Sequence, residues 1–181
     1  YRKKRMINII LIFITEIIRY YRNSKGIFMN SSQSAIESVF DGLSKVIEYT
    51  SASIQLIHGD YRTLIGYRGA SAKDDSSSQL HRDISDDPLI SKITQNKEPM
   101  VLSDVEKSRL WERLNETLHV KSWIGIPLIV EDNVIGLLTI DHSIADYYTE
   151  AHLKIAIEFA NQITPDILKN DLYQVQKERI Q

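Results

Sequence analysis

The 181-residue sequence contains no cysteine, and this absence excludes several classes of site. A disulfide, a thiolate metal centre, a thiol nucleophile and a thioether-linked cofactor all require cysteine. The absence also fits a reducing compartment, and we expect the protein to lie in the cytoplasm. Neither sign of charge is in excess, because 22 basic and 24 acidic residues give a formal net charge of -2. The charge balance therefore gives no reason to expect nucleic-acid binding.

The sequence also lacks a long hydrophobic run and a recognisable signal peptide. Residues 7–18 (INIILIFITEII) form the most apolar segment, but Glu16 interrupts it and a membrane-spanning helix needs about 20 such residues. The segment is therefore interpreted as a packed amphipathic helix. The basic cluster at residues 2–5 (RKKR) would mark the cytoplasmic side of a membrane span upstream of Tyr1. Alternatively, it is an exposed helix start.

Helical patterns are present at both ends of the chain. Apolar residues within 2–22 recur at alternating steps of three and four, which is the spacing by which helices pair. Residues 32–49 follow a period of 3.6, and a further apolar stripe continues after Pro165. Pro165 itself should kink the last helix or begin a new one. We predict a homodimer through the terminal helices, with an interface formed by Ile7, Ile10, Ile14, Ile17, Tyr21, Ile167, Leu168 and Leu172.

The middle of the chain changes to a period of two, which indicates strands joined by short Gly/Asp turns. Two near-continuous apolar strands come last and are expected at the centre of a sheet that is covered on both faces. The predicted elements are strands at 52–57 and 61–68, a surface loop at 70–87, a short helix at 88–95, a strand at 100–102, a helix at 104–118, strands at 123–130 and 134–141, and a helix from Glu150.

Strands linked by hairpins, with helices at both ends, predict an antiparallel α+β fold. The length suits one compact domain with flanking helices. We expect an N-terminal helical linker at residues 1–30, the compact domain at 31–164 and a C-terminal linker helix at 165–181.

Residues 120–163 (VKSWIGIPLIVEDNVIGLLTIDHSIADYYTEAHLKIAIEFANQI) resemble the C-terminal half of a GAF domain, and residues 53–69 (SIQLIHGDYRTLIGYRG) resemble its opening hairpin. Together the likeness covers roughly residues 32–165. It implies a central antiparallel sheet of five or six strands with helices on both faces. It also implies that the N- and C-terminal helices pack together on one face and dimerise, while a small-molecule pocket lies on the other.

Three residues of the last two strands that resemble the family have physical effects on a sheet. Gly125 and Gly136 lack side chains, which permits close approach of a backbone or a ligand, and relief of crowding is the simpler reading. Pro127 donates no hydrogen bond to a ladder, so its strand should bulge or be unpaired there.

The resemblance gives no ligand. GAF domains that bind cyclic nucleotides typically carry an Asn-Lys pair, a Phe and an Asp-Glu pair. The corresponding residues are Asp141-His142, Tyr148 and His152-Leu153, so both pairs fail and cyclic nucleotide is disfavoured. A bilin needs the missing cysteine, whereas a noncovalent chromophore stays open. No metal-ligand spacing is present, and no cofactor is identified.

Haem would require an axial ligand, for which histidine is one suitable residue type. A lone histidine is far more often a surface or hydrogen-bonded residue than a metal ligand. His119 and His142 flank strands and are the pair expected to face inside. The five histidines are His58, His81, His119, His142 and His152.

A pocket can also be assigned from general chemistry. Tryptophans provide flat apolar area with one N–H donor each, and polar groups at the end of a central strand can orient a ligand. Arg109 and Arg113 share a helix face and could clamp an anion, although a solvated charged face is the better explanation. The residues assigned to the pocket are Leu102, Asp104, Trp111, Trp123, Thr139 and Asp141.

The resulting functional prediction is a regulatory domain of a signal-transduction protein, such as a sensor histidine kinase. It would sense a small molecule, dimerise, and pass a change in helix packing to an output domain outside these residues. The alternative is a ligand-free dimerisation or relay module of a membrane-associated or transcription-regulating protein. We expect no enzyme activity, because thiols are absent and no catalytic Ser–His–Asp order stands out. A nucleophile and a base within ~3.2 Å beside a cleft would revive catalysis.

Overall fold

The computed structural model describes residues 32–69, 82–112 and 117–178. In this part of the chain, three helices and six strands follow one another. A 3-10 turn lies at Val105–Lys107. The elements are α1 (Ser32–Leu43), β1 (Ser51–His58), β2 (Tyr61–Gly69), β3 (Arg82–Asp83), α2 (Pro88–Asn96), β4 (Met100–Leu102), β5 (Ser122–Val130), β6 (Asn133–His142) and α3 (Glu150–Glu178).

The strands form one sheet in the order β3-β2-β1-β6-β5-β4, and every neighbouring pair is antiparallel. This confirms the α+β fold with five or six antiparallel strands. The sixth strand, β3, has only two residues and lies inside the segment predicted as a surface loop. Its pairing with Tyr61 and Arg62 of β2, rather than any hydrophobic period of its own, makes it a strand.

Alternation along the strands gives the sheet two different faces. One face carries Ala52, Ile54, Ile124 and Ile140 and packs against α1 and α3, where the main hydrophobic core lies. We call the opposite face the α2 face, because Leu89, Ile90 and Ile93 of α2 pack there in a second core. The residues that define the α2 face are Ser51, Ser53 and Gln55 of β1, Trp123 of β5, and Leu137, Thr139 and Asp141 of β6.

Helices α1 and α3 lie together on the first face, as the resemblance implied. Their contact is close at Gly42, where an added Cβ would lie 3.3 Å from the ring of Phe159. Helix α3 contributes Ala156, Ala160 and Ile163 to the core. No helix in the described ranges is both long and apolar enough to cross a lipid bilayer.

The structure corrects two of the helix predictions. Helix α1 ends at Leu43 rather than about Tyr49, because the amides of Lys45 and Val46 bond three residues back and form turns. The helix predicted at 104–118 is wrong for residues 104–112. There, the Asp104 carboxylate caps one 3-10 turn by accepting the Glu106 amide at 3.0 Å, and the turn ends in extended backbone at Ser108.

Helix α3 continues without interruption through Pro165, so the prediction of a new helix beginning there is wrong. The Thr164 hydroxyl donates to the Ala160 carbonyl at 2.6 Å and supplies a side-chain bond beside the proline. Packing of Ile163 and Ile167 in the core holds the helix on both sides of the proline, where one backbone donor is missing.

Candidate functional site

A row of polar side chains crosses the α2 face at strand β1. Ser51, Ser53 and Gln55 alternate with core residues, and the two serines are buried, with 0 % and 7 % of their surfaces exposed. Buried hydroxyls need hydrogen-bond partners, because an unsatisfied polar group in the interior is costly. Their hydrogen bonds form two sets, one around Ser53 and Gln55 and one around Ser51.

The centre of the row is a contact between β1 and β6. The hydroxyls of Ser53 and Thr139 lie 2.7 Å apart, and the Gln55 side-chain amide donates to Ser53 Oγ at 3.0 Å. On the other side of β1, Arg62 Nη1 donates to Gln55 Oε1 at 2.9 Å. The side chains of three adjacent strands therefore form one hydrogen-bonded chain.

Arg62 connects this row to helix α2. Its Nη2 donates to Asp87 Oδ2 at 2.7 Å, and Asp87 Oδ1 accepts the amides of Leu89 and Ile90 as the helix cap. Only 11 % of the Arg62 side chain is exposed, and this burial lowers the pKa of Arg62 while Asp87 opposes the shift. Arg62 Nε has no hydrogen-bond partner within residues 32–69, 82–112 and 117–178.

At the other end of β1, Ser51 lies between two titratable groups. Its hydroxyl donates to Asp141 Oδ2 at 2.7 Å and lies 3.2 Å from His119 Nε2. Since the hydroxyl has one proton and gives it to Asp141, His119 Nε2 must donate to Ser51 in this arrangement. Burial raises the pKa of the Asp141 carboxyl to about 7, and the Ser51 hydrogen bond acts in the opposite direction.

Two tryptophans lie beside the polar row. The indole of Trp123 covers Gly125, where any Cβ would overlap the ring. Trp111 meets Trp123 edge to face, with centroids 5.9 Å apart and an angle of 63° between the rings. Trp123 pairs with Asp141, and Gly125 pairs with Thr139, so the aromatic and polar groups are neighbours on the sheet.

A family model for the GAF domain matches residues 32–165 of the chain, the segment that contains the whole sheet and both faces. The protein belongs to the GAF domain family. No curated protein matches the sequence. The family assignment and the fold therefore come from the family model and from solved structures.

Solved GAF structures share this fold at low identity. The GAF domain of a phosphoenolpyruvate-protein phosphotransferase from Coxiella burnetii is 17 % identical with a TM-score of 0.64, and the match covers 88 % of this chain and 92 % of that one. A GAF domain from a two-component sensor histidine kinase of Bacillus halodurans is 15 % identical with a TM-score of 0.63, covering 78 % and 97 %. A type II free methionine-R-sulfoxide reductase from Thermoplasma acidophilum is 15 % identical with a TM-score of 0.64, covering 76 % and 93 %.

The GAF fold brings together five of the six residues assigned to the pocket from sequence. Those five, on or against the α2 face, are Leu102, Trp111, Trp123, Thr139 and Asp141. Asp104 instead caps the 3-10 turn and accepts an ion pair from Lys107 at 3.0 Å. The sequence reasoning missed Ser51, Ser53, Gln55 and Arg62. The signal for the first three was present, because polar residues occupy alternating positions in the first strand.

Gly125 and Gly136 relieve crowding in the last two strands, which was the simpler of the two interpretations of the sequence. Gly125 leaves room for the Trp123 indole, and an added Cβ on Gly136 would meet the Gln55 carbonyl oxygen at 2.6 Å. Pro127 is paired with Leu137, so the prediction of a bulge or an unpaired residue at Pro127 is wrong; the register shift lies between Leu128 and Ile129. Strand β4 begins at Met100, opposite Gly125, and has no residue opposite Pro127.

Ser51 and His119 form a serine–histidine pair at catalytic distance. Ser51 is fully buried and gives its proton to Asp141, so His119 does not act as its base in this arrangement. His142, the other histidine expected inside, is buried against the core on the opposite side and stacks on Tyr147 at 3.6 Å. No cluster of three or more metal-ligating side chains occurs in the described ranges.

A separate cleft of about 600 Å³ opens at the far end of β1. It lies between the β1–β2 turn at Gly59, the last turn of α2 and the β5–β6 hairpin. Lys97 and Asp132, which form an ion pair of 2.9 Å on its rim, are both substantially exposed. The cleft is open and mostly lined by solvated side chains, so the buried polar row on the α2 face is the stronger candidate site.

Proposed function

We propose that this GAF domain is a regulatory module that senses a small molecule on the α2 face. It passes the resulting change through its terminal helices to an output domain outside residues 1–181, as in a sensor histidine kinase. The observation that carries this proposal is two buried hydrogen-bonded sets side by side on the α2 face, near Trp123. Ser51 bonds Asp141 in one set, and Thr139, Ser53, Gln55 and Arg62 form the other.

A sheet face that only supported a helix would be stabilised better by apolar side chains. Replacing both partners of a buried hydrogen bond by apolar groups of the same shape is often neutral or stabilising, whereas a few convergent polar groups beside aromatic surface are typical of ligand sites. Thr139 and Ser53 each offer a hydroxyl, and Asp141 offers a carboxyl. The matching ligand is a small flat molecule with hydrogen-bonding groups along one edge. The flat face of the ligand would lie over Gly125, where the Trp123 indole lies now.

The route to the helices runs directly through the sheet. On strands β1 and β6, Ser53 and Thr139 alternate with Ile54 and Ile140, which pack in the core shared with α3. A ligand that changes the spacing of these strands also changes the surface on which α3 rests. It shifts the helix packing only by its difference in affinity for the two arrangements.

We include homodimerisation in this proposal. The exposed side of α3 carries Ile155, which is 41 % exposed, and this apolar position is open to a second copy. Ile167 is buried in the core of a single chain, so a helix pair would use the outward residues of α3. Leu168 and Leu172 have side chains outside the description. The remaining predicted interface residues also lie outside it: Ile7, Ile10, Ile14, Ile17 and Tyr21.

Regulation rather than catalysis fits the row, because the Ser51 hydroxyl donates to Asp141 and His119 does not act as its base in this arrangement. The GAF domain of a Bacillus halodurans sensor histidine kinase supports a signalling role, and the absence of cysteine supports the cytoplasm as its location.

The test is mass spectrometry of small molecules released by denaturing the full chain after native purification. The wild type should release a compound of defined mass in near-stoichiometric amount, and Thr139→Val should release at least tenfold less. The isosteric change removes one hydroxyl from the row and leaves the surface of α3 unchanged. If wild type and variant release the same background compounds, the sensing proposal is wrong.

The second candidate is a relay domain without a ligand, and the packing of Trp123 over Gly125 favours it because the indole already covers the sheet there. Sedimentation of wild type and Ile155→Lys separates the two. A dimer that Ile155→Lys dissociates, in a protein that releases no compound, supports the relay. A stoichiometric compound supports sensing.

A further inference from the structure

Helix α3 begins with a reciprocal contact between Thr149 and His152. The Thr149 amide donates to His152 Nδ1 at 3.3 Å, and the Thr149 hydroxyl lies 3.0 Å from the same nitrogen. The Thr149 carbonyl accepts the Leu153 amide at 3.0 Å, which is the first bond of the helix ladder. Thr149 is therefore the N-cap, and His152 occupies the third helical position.

A side chain at this position that reaches back to the N-cap amide forms one half of a capping box, in which glutamate or glutamine is the usual acceptor. Here the acceptor is an imidazole nitrogen. It accepts the amide only while Nδ1 carries no proton, so the ring must be neutral with its hydrogen on Nε2. Protonation removes the acceptor and places a positive charge at the positive end of the helix dipole.

Two tyrosine rings lie beside the His152 imidazole. Tyr147 and Tyr148 face the ring with centroids 5.7 and 5.8 Å away, and Tyr147 donates to Glu48 Oε2 at 3.1 Å. Glu150 lies in the same helical turn. Glu150, Glu48 and the face of Tyr147 attract an imidazolium, whereas the lost amide bond and the helix dipole oppose it. His142, stacked on the far side of Tyr147, is the other imidazole in this group.

We propose that His152 is a proton-sensitive cap of helix α3, closed when its imidazole is neutral and open when the imidazole is protonated. Histidine is the side chain most often used as a proton switch, and here the proton on Nδ1 decides whether the Thr149 amide has an acceptor. A glutamine at the same position would accept the amide at every pH.

The consequence for signalling rests on the proposed function, in which α3 carries the output. A cap that opens at low pH loosens the start of that helix without any ligand on the α2 face. The domain would then answer to protons as well as to a small molecule. The state of the cap is measured independently of any ligand or output.

The experiment is amide hydrogen exchange of the full chain at pH 8 and pH 5.5, reported as protection factors corrected for intrinsic exchange. Loss of one capping interaction corresponds to about a fivefold change in a local equilibrium. The Thr149 amide of the wild type should therefore lose about fivefold protection at pH 5.5. Imidazole nitrogen shifts should show His152 as the Nε2–H tautomer at pH 8.

Two variants at one position provide the matched control. His152→Gln keeps an acceptor at every pH, so its Thr149 amide should be protected equally at both. His152→Ala lacks the acceptor, so its amide should be poorly protected at both. Equal protection of the wild type at the two pH values, or a pH response that His152→Gln retains, would show that the cap does not sense protons. Because no ligand is added, failure of the sensing proposal leaves this result unchanged.

Discussion

Ser53 and Thr139 pair directly across the β1–β6 ladder, and their hydroxyl oxygens lie 2.7 Å apart with 7 % and 6 % of the residues exposed. Each hydroxyl is the partner that satisfies the other. The Gln55 amide also donates to Ser53 Oγ, so the contact lies at the centre of the polar row. A substitution of either residue therefore changes stability by leaving the other hydroxyl without this hydrogen bond.

Ser53→Ala and Thr139→Val should each destabilise the fold by about 1–3 kcal/mol, because each leaves a buried hydroxyl without its partner. The double variant should cost less than the sum, since both hydroxyls are then gone. Urea unfolding of the four proteins measures the coupling. Additive losses would contradict the view that the two hydroxyls satisfy one another.

Gly125→Ala should destabilise the domain by about 1–3 kcal/mol, because its methyl group overlaps the Trp123 indole and the ring must move. The matched background is Trp123→Leu, which removes the overlapping ring. In that background the alanine should cost less than about 1 kcal/mol. An equal cost in both backgrounds would mean that backbone strain, not the indole, limits this position.

Asp141→Asn should change how stability depends on pH. Burial raises the pKa of Asp141 to about 7 in the folded protein, so between about pH 4 and 7 the folded form holds a proton that the unfolded chain has released. The stability that Asp141 contributes is full below about pH 4 and is lost as the pH rises through about 7.

Urea unfolding of wild type and Asp141→Asn from pH 4 to 8 tests this dependence. The wild type should lose stability relative to the variant as the pH rises, by about 1.4 kcal/mol for each unit of pKa shift. A constant difference between the two proteins across the range would show that the Asp141 carboxyl titrates normally.

Arg62→Met should destabilise the protein by about 2 kcal/mol, because Gln55 and Asp87 both lose a buried cationic partner. The matched control is Asp132→Asn, which breaks the Lys97–Asp132 ion pair, whose Asp132 side chain is 87 % exposed. This exposed pair should contribute less than about 1 kcal/mol. Similar losses in the two variants, measured by urea unfolding, would contradict a special role for Arg62.

The architecture follows from the sequence because its signals are local. Alternation in the first hairpin and the dense apolar runs of β5 and β6 identified four strands, and Thr149 located the start of α3. The segment after Asp104 misled the prediction. Its apolar residues are spaced as in a helix, but Val105, Leu110 and Trp111 pack in the second core from a 3-10 turn and a loop.

The polar row was only partly predictable. Thr139 and Asp141 stood out at the end of a strong strand, but their partners lie about ninety positions earlier, at Ser53 and Ser51. Pairings over such distances depend on strand register, which a single sequence fixes weakly. Arg62 gave no signal, because a strand arginine is ordinarily solvated and this one is buried by its contact with the cap of α2.

The continuity of α3 through Pro165 has a mechanical consequence. Its 29 residues form a rod about 44 Å long. A tilt of about 10° at Thr149 would displace the far end by about 8 Å at that length. Pro165 removes one backbone hydrogen bond, so the helix bends most easily there. Bending at Pro165 would let the segment before the proline, which packs on the sheet, move less than the segment after it.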